Sequence, residues 1–398
     1  MAVRATLDFL KTEAAGGAAL AVAALAALVW ANSPAAHLYF NLLAEPFSIR
    51  IGAWAETLSV RDWIGGGLMG IFFFVIGLEV KQEVLKGELS SPRKLALPAG
   101  AALGGLVASA VVYLAFNLRA GGAPAAWPTG AASDIALVLG AMALVGRGLP
   151  EALRLFLLSL ALIADVAAMA LIAVLFTGHV HPWALVGAAL TLAGLIGLSE
   201  WRDAPFLFRA IGFLVLGAFT LKSGLDTSVA GLAAALTVPV GQRRPDQDGV
   251  LKHFMESVHP YVAFAILPLF GFTMAGVRLA GLPPAALASP ITLGVAAGLF
   301  IGKPAGVMGG AFLMIRTGLA RRPTGTSWLE LFGVALLCGV GFSISLYLGA
   351  LAFPEALGLQ RSELILGVII GSIASAGAGM AVLALASARR EAARAPRA

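Results

Sequence analysis

The chain has 398 residues, 59% hydrophobic and 12% charged, with a mean hydropathy of +0.91. So few charged side chains cannot cover a water-soluble globule, which leaves an all-α polytopic membrane protein as the expected class. The net charge of +6 is scattered through loops and forms no stripe with aromatic partners, which argues against nucleic acid; Cys338 is the only cysteine, which excludes a disulfide framework and a Cys-rich metal site.

Crossing a bilayer takes roughly 20 apolar residues with internal backbone hydrogen bonding, so the long apolar segments read as helices, and no strand alternation competes. The first, Ala14–Ala31, follows Arg4 and Lys11 and ends at Asn32-Ser33-Pro34. It exceeds the roughly 7–15 apolar residues of a signal peptide, so it is expected to remain as an uncleaved span. Twelve spans are expected, in the windows 13–31, 62–80, 95–117, 129–146, 152–176, 182–199, 206–221, 224–240, 257–277, 290–315, 328–352 and 362–387. The seventh and eighth are short for full crossings. With both termini cytoplasmic, most Lys and Arg fall on that side, including Arg147, Arg202, Arg243, Arg244 and Arg397. Only Arg50, Arg61, Arg119, Lys222, Arg278 and Arg361 fall outside, as the positive-inside rule requires.

Two windows are interrupted where a plain span would be continuous. The fourth contains Pro128-Thr129-Gly130-Ala131-Ala132-Ser133-Asp134, and the eleventh contains Cys338-Gly339-Val340-Gly341-Phe342-Ser343-Ile344-Ser345. Each is the middle member of a three-span group, and the odd offset between the groups makes the second copy inverted. Unwound backbone at membrane depth is tolerated only where protein or a water-filled cavity satisfies it, so paired interruptions predict a transport site. Close packing through small residues is the alternative reading of the glycines and serines.

Three ionisable residues lie inside apolar stretches: Asp134, Asp165 and Lys303. A charge at such depth costs roughly 2.5–3.5 kcal/mol on insertion scales, so retaining three suggests an ion pathway. A carboxylate oxygen at Asp165 suits Na+, Li+ or H+, and Ser133, Thr129 or freed carbonyls would complete an oxygen shell. Asp134 follows the first break and is placed to meet a half-helix N-terminus. Lys303 is either a proton carrier or a counter-ion. No nucleophile and base assemble into an enzyme site, no cofactor is implied, and no polar ring lines a channel. His37, His179, His181 and His253 lack metal-ligand spacing, and the tryptophans cluster near span ends as an interfacial belt.

The motifs Gly77-Leu78-Glu79-Val80-Lys81, Ala132-Ser133-Asp134-Ile135-Ala136, Leu221-Lys222-Ser223-Gly224, His259-Pro260, Ile266-Leu267-Pro268-Leu269-Phe270, Gly302-Lys303-Pro304 and Cys338-Gly339-Val340-Gly341-Phe342 resemble the NhaA family of Na+/H+ antiporters. The resemblance implies exchange of cytoplasmic Na+ or Li+ for external H+, serving pH and sodium homeostasis in the bacterial inner membrane. It implies one transporter domain, with core repeats at about 95–176 and 290–387 moving against panel helices at about 13–80 and 182–277. On the same grounds Asp165 is the ion-binding acid, Asp134 the fourth-span acid and Lys303 the tenth-span lysine, with Ser133 in place of a threonine. The second break is carried by Gly339, Gly341 and Ser343. Glu79, Lys81, Glu83, Glu256 and His259 are the candidates the resemblance implies for pH sensing, with Gln82 in place of a base and Met255 and Glu256 where an acid and a histidine are common; a solvated positive-inside loop is an equal reading. A hairpin at 47–54 would pair two protomers.

The main departure is Ala164, because the family pattern has two adjacent aspartates where this chain has Ala164-Asp165. Without that acid, Lys303 is expected to pair directly with Asp165 in the empty site, giving electroneutral exchange. A transport-deficient scaffold or sensor is the other alternative.

Overall fold

The computed structural model describes residues 2–51, 54–145, 148–178, 180–201, 206–240, 249–353 and 358–394. His179, Arg147, Arg202, Arg243, Arg244 and Arg397 lie outside them. The chain begins with α1 (Ala2–Ala31) and α2 (Ala36–Ala44), then the strands β1 (Pro46–Ile51) and β2 (Trp54–Ser59). These strands pair antiparallel with Pro46 opposite Ser59 and Ile51 opposite Trp54, so the hairpin is longer than the 47–54 segment expected. Helices follow in the order α3 (Val60–Asp62), α4 (Met69–Lys86), α5 (Pro92–Asn117), α6 (Ile135–Val145), α7 (Glu151–Leu175), α8 (Pro182–Glu200), α9 (Phe206–Ser223) and α10 (Thr227–Thr237). The second half contains α11 (Val250–Tyr261), α12 (Leu267–Met274), α13 (Pro290–Ala297), α14 (Lys303–Arg316), α15 (Trp328–Leu337), α16 (Phe342–Ala352) and α17 (Gly358–Arg394).

Among the described residues, eight helical segments are long and apolar enough to cross a membrane, and two bent pairs raise the number to ten. The short seventh and eighth windows hold α9 and the eleven-residue α10, so each expected window contains helix. The molecule is an all-α polytopic membrane protein. Its bent pairs fall where the sequence is interrupted: a 3-10 helix Pro124–Gly130 meets α6 at 43°, and α15 meets α16 at 42°.

Helix ends are set by local chemistry. Ser91 and Ser289 cap α5 and α13, each with proline in the first turn, where a missing N–H costs nothing. Ser327 and Glu330 form a capping box at α15, and Glu330 also meets Arg390 of α17 at 3.1 Å. Lateral packing relies on small residues. A Cβ at Gly104 on α5 would strike the Gly306 carbonyl oxygen on α14, one at Gly306 would strike that of Gly104, and one at Gly310 that of Gly100. The two backbones therefore approach as closely as glycine permits, the usual route to affinity between helices in lipid.

Candidate functional site

The site lies where the two breaks touch. Asp134 ends the first break and sits immediately before α6, so its Oδ1 accepts the Leu137 N–H at 3.2 Å. Its Oδ2 accepts from the Ser343 backbone N–H at 3.0 Å and the Ser343 hydroxyl at 2.5 Å, in the first turn of α16. One carboxylate thus serves two helix N-termini, where orphan N–H groups and the positive end of the helix dipole favour negative charge. The backbones also join directly: the Asp134 N–H donates to the Val340 carbonyl at 2.7 Å. The Ser133 hydroxyl donates to the Cys338 carbonyl at 2.8 Å, and the Ser345 hydroxyl to the Thr129 carbonyl at 2.6 Å. Backbone freed by each break is satisfied by the other.

Lys303 has the complementary arrangement. Its ammonium donates to the carbonyl of Ala132, just beyond the first half-helix, where the backbone offers unpaired acceptors. Pro304 supplies no N–H to the turn before it, and that turn, Gly298–Gly302, is widened into a π-helix leading into α14. A Cβ at Gly302 would lie 2.9 Å from the Ala108 carbonyl oxygen, so this entry is pressed against α5. Among the described residues, Lys303 makes no hydrogen bond or ion pair within 4.0 Å with Asp165, and the two act on one another only as nearby charges. The ammonium's hydrogen bond goes to the carbonyl dipole instead.

Asp165 occupies the middle of α7 and is 1% exposed. Among the described residues its buried Oδ1 has no hydrogen-bond partner, which sets it apart from Asp134. A buried acceptor with no donor is costly and calls for an explanation, such as an ion or a proton. Ala164 is also buried and belongs to the apolar cluster with Leu160, Leu337 and Val340, so hydrocarbon fills the place of the second acid.

A narrow cavity of about 40 Å³ connects Asp165, Asp134, Ser133 and Ser343 to Glu79 and His259, with Phe72, Ile76 and Leu267 among its walls. A water needs ~10–15 Å³ by this measure, so the passage admits a few waters or a partly dehydrated small cation. Thr129 does not line it; its hydroxyl donates to the Ala126 carbonyl at 2.6 Å. No group of three or more His, Cys, Asp or Glu side chains converges among the described residues. A cation at Asp165 would therefore complete its shell from hydroxyls, carbonyls and water.

The five residues of the suggested pH-sensing cluster are partly dispersed. Glu79 and His259 stand 4.0 Å apart at the cavity. Lys81 donates to the Leu236 and Val238 carbonyls at 2.5 and 2.7 Å, closing the C-terminal end of α10. Glu256 pairs with Lys252 at 3.5 Å on an exposed helix face, and Glu83 lies beside Gly87. Sequence reasoning missed Tyr347, whose hydroxyl lies 2.7 and 2.8 Å from the two carboxylate oxygens of Asp226. Asp226 also caps α10 through the Ser228 N–H, and this aspartate before Thr227-Ser228 was the available signal.

The Na+/H+ antiporter 1 family model matches residues 7–383. The Na(+)/H(+) antiporter NhaA of Rhodospirillum rubrum is 44% identical over 97% of this chain and 98% of its own length. The Na(+)/H(+) antiporter NhaA 2 of Pseudomonas syringae pv. syringae is 44% identical over 94% of this chain and 93% of its own. The Bordetella parapertussis Na(+)/H(+) antiporter NhaA is 43% identical over 94% and 95% respectively. With family model and relatives both matching almost end to end, around a site that unites two helix breaks, the chain belongs to the Na+/H+ antiporter 1 family.

Proposed function

We propose that this protein is a secondary antiporter that exchanges Na+ for H+ at Asp165. The observation that carries the reading is the buried Oδ1 of Asp165, which has no hydrogen-bond partner among the described residues and belongs to a side chain that lines a small cavity. A buried carboxylate oxygen without a hydrogen-bond donor is costly when charged, so Asp165 is poised to hold either a proton or a cation. Na+ and H+ therefore compete for the same oxygen atoms, and exposing the site to each side in turn exchanges one for the other. Li+, also small and hard, fits the same oxygens.

Asp134 and Lys303 keep this competition local. Their hydrogen bonds go to helix ends and a carbonyl, which leaves the Asp165 Oδ1 open to the ion while both charges act on it from nearby. Ser133 offers its remaining hydroxyl lone pair to the ion. The segments at about 95–176 and 290–387 form the moving core, and those at about 13–80 and 182–277 the panel, a division supported by the two bent pairs lying at the centre of the core segments. Both termini face the cytoplasm of the bacterial inner membrane, Na+ leaves and H+ enters, and the β1–β2 hairpin joins two protomers. Retention of three buried charges, one at a break and two on neighbouring helices, and near full-length similarity to proteins named as antiporters speak against a transport-deficient scaffold.

Sodium-dependent proton efflux from proteoliposomes tests this. Asp165→Asn is expected to bring efflux down to the leak of protein-free vesicles while thermal stability is kept, because a costly buried carboxyl is replaced by a neutral isostere. Exchange at the native rate in this variant would eliminate the proposal.

A further inference from the structure

We propose that a basic recess at the start of α5 and α7 binds the headgroup of an anionic phospholipid and braces the helix that carries Asp165. The recess, of about 910 Å³, is separate from the transport cavity and matches the upper range of ligand sites, roughly 300–1,000 Å³. Arg93 and Lys94 reach it from the first turn of α5, and Arg321 and Arg322 from the loop after α14. Solvated loop cations need only spread into water, whereas these four, from segments far apart in sequence, line one concavity. Arg322 also lies over the Trp328 ring, 5.8 Å from its centroid, which limits the freedom of the guanidinium.

Among the described residues, no ion pair engages Arg93, Arg321 or Arg322. Glu330 is buried against Arg390 and its own capping serine, and Glu151, at the start of α7, is a single exposed carboxylate. The recess also has apolar walls, with buried Leu97 and Phe156 beneath the cations. A free phosphate has no use for such walls. A phospholipid uses both parts, with phosphate among the guanidinium groups and the acyl chains passing over leucine and phenylalanine. Basic pockets between membrane helices facing an anionic leaflet take such headgroups, and the positive-inside count puts these loops on that side.

The position links occupancy to transport. Ser159 lies at the recess six positions before Asp165 on α7, about 9 Å along the axis at ~1.5 Å per residue. The loop bearing Arg321 and Arg322 leaves the helix that starts at Lys303. One bound headgroup would thus tie together α5, α7 and the exit of α14.

The test uses the purified full chain in detergent, with native mass spectrometry for retained lipid and a melting curve for stability. Phosphatidylglycerol, phosphatidylcholine and inorganic phosphate are added separately, and native protein is compared with R321A/R322A, R93Q and, as a control on the same side, R389A. Phosphatidylglycerol should be retained at least tenfold better than phosphatidylcholine and should raise the melting temperature by several degrees, with phosphate doing neither. R321A/R322A and R93Q should each lose that preference and that shift, and R389A should keep both. Equal retention of the two lipids, an unchanged preference in R93Q, or full stabilisation by phosphate alone would each overturn the proposal. Should R321A/R322A fail to fold, R93Q decides.

Discussion

The two broken helices bend almost equally, by 43° and 42°, yet contribute different chemistry. The first carries formal charge, since Asp134 closes it. The second, Cys338-Gly339-Val340-Gly341, carries none and supplies dipoles: carbonyls of Cys338 and Val340, and the Ser343 N–H. One break therefore needs the other. A charge left at a helix break without opposing N–H groups would be costly, and a break without the neighbouring side chains would leave carbonyls unpaired.

The strongest way to break this arrangement is Asp134→Ala, which strands the Ser343 N–H and hydroxyl together with the Leu137 N–H. At ~1–3 kcal/mol for each buried donor left unpaired, the loss should be about 3 kcal/mol or more, read as a large fall in melting temperature. A smaller effect is expected from Gly339→Ala in the uncharged break. Its Cβ would collide with the Leu299 carbonyl oxygen and lie 2.9 Å from Ser375 Cβ, and overpacking of this kind costs about 1–3 kcal/mol. Ser343→Ala should be mildest, because the amide bond to Asp134 survives and only the 2.5 Å hydroxyl bond is lost. A cost of about 1–2 kcal/mol is expected, with exchange retained at a reduced rate. If Ser343→Ala were as damaging as Asp134→Ala, the hydroxyl rather than the dipoles would be the second break's main contribution.

The difference between the breaks also explains what could be read in advance. Charges inside apolar runs are visible as letters, so Asp134, Asp165 and Lys303 were legible, as were the interruptions by proline, glycine and serine. The partners were not. Ala132 holds Lys303 through a backbone carbonyl, and every residue has one, so nothing in its identity marks it. Charge pairing suggested Asp165 as the partner of Lys303 because opposite charges are the evident match, but a closer dipole took the ammonium. The cytoplasmic cluster misled in a related way: proximity in sequence suggested one group, while helix phase sent Lys81 to the end of α10 and left Glu79 with His259. Tyr347 and Asp226 lie in separate spans, so only the tertiary fold could join them.

The glycines between α5 and α14 carry a mechanical consequence. Gly100, Gly104, Gly306 and Gly310 mesh like teeth, and neither rod can slide or spin without driving a Cα into its neighbour's carbonyl oxygens. Whatever stroke carries an ion across, these two must ride as a single shaft, and the lysine ammonium travels at a height fixed by its neighbour.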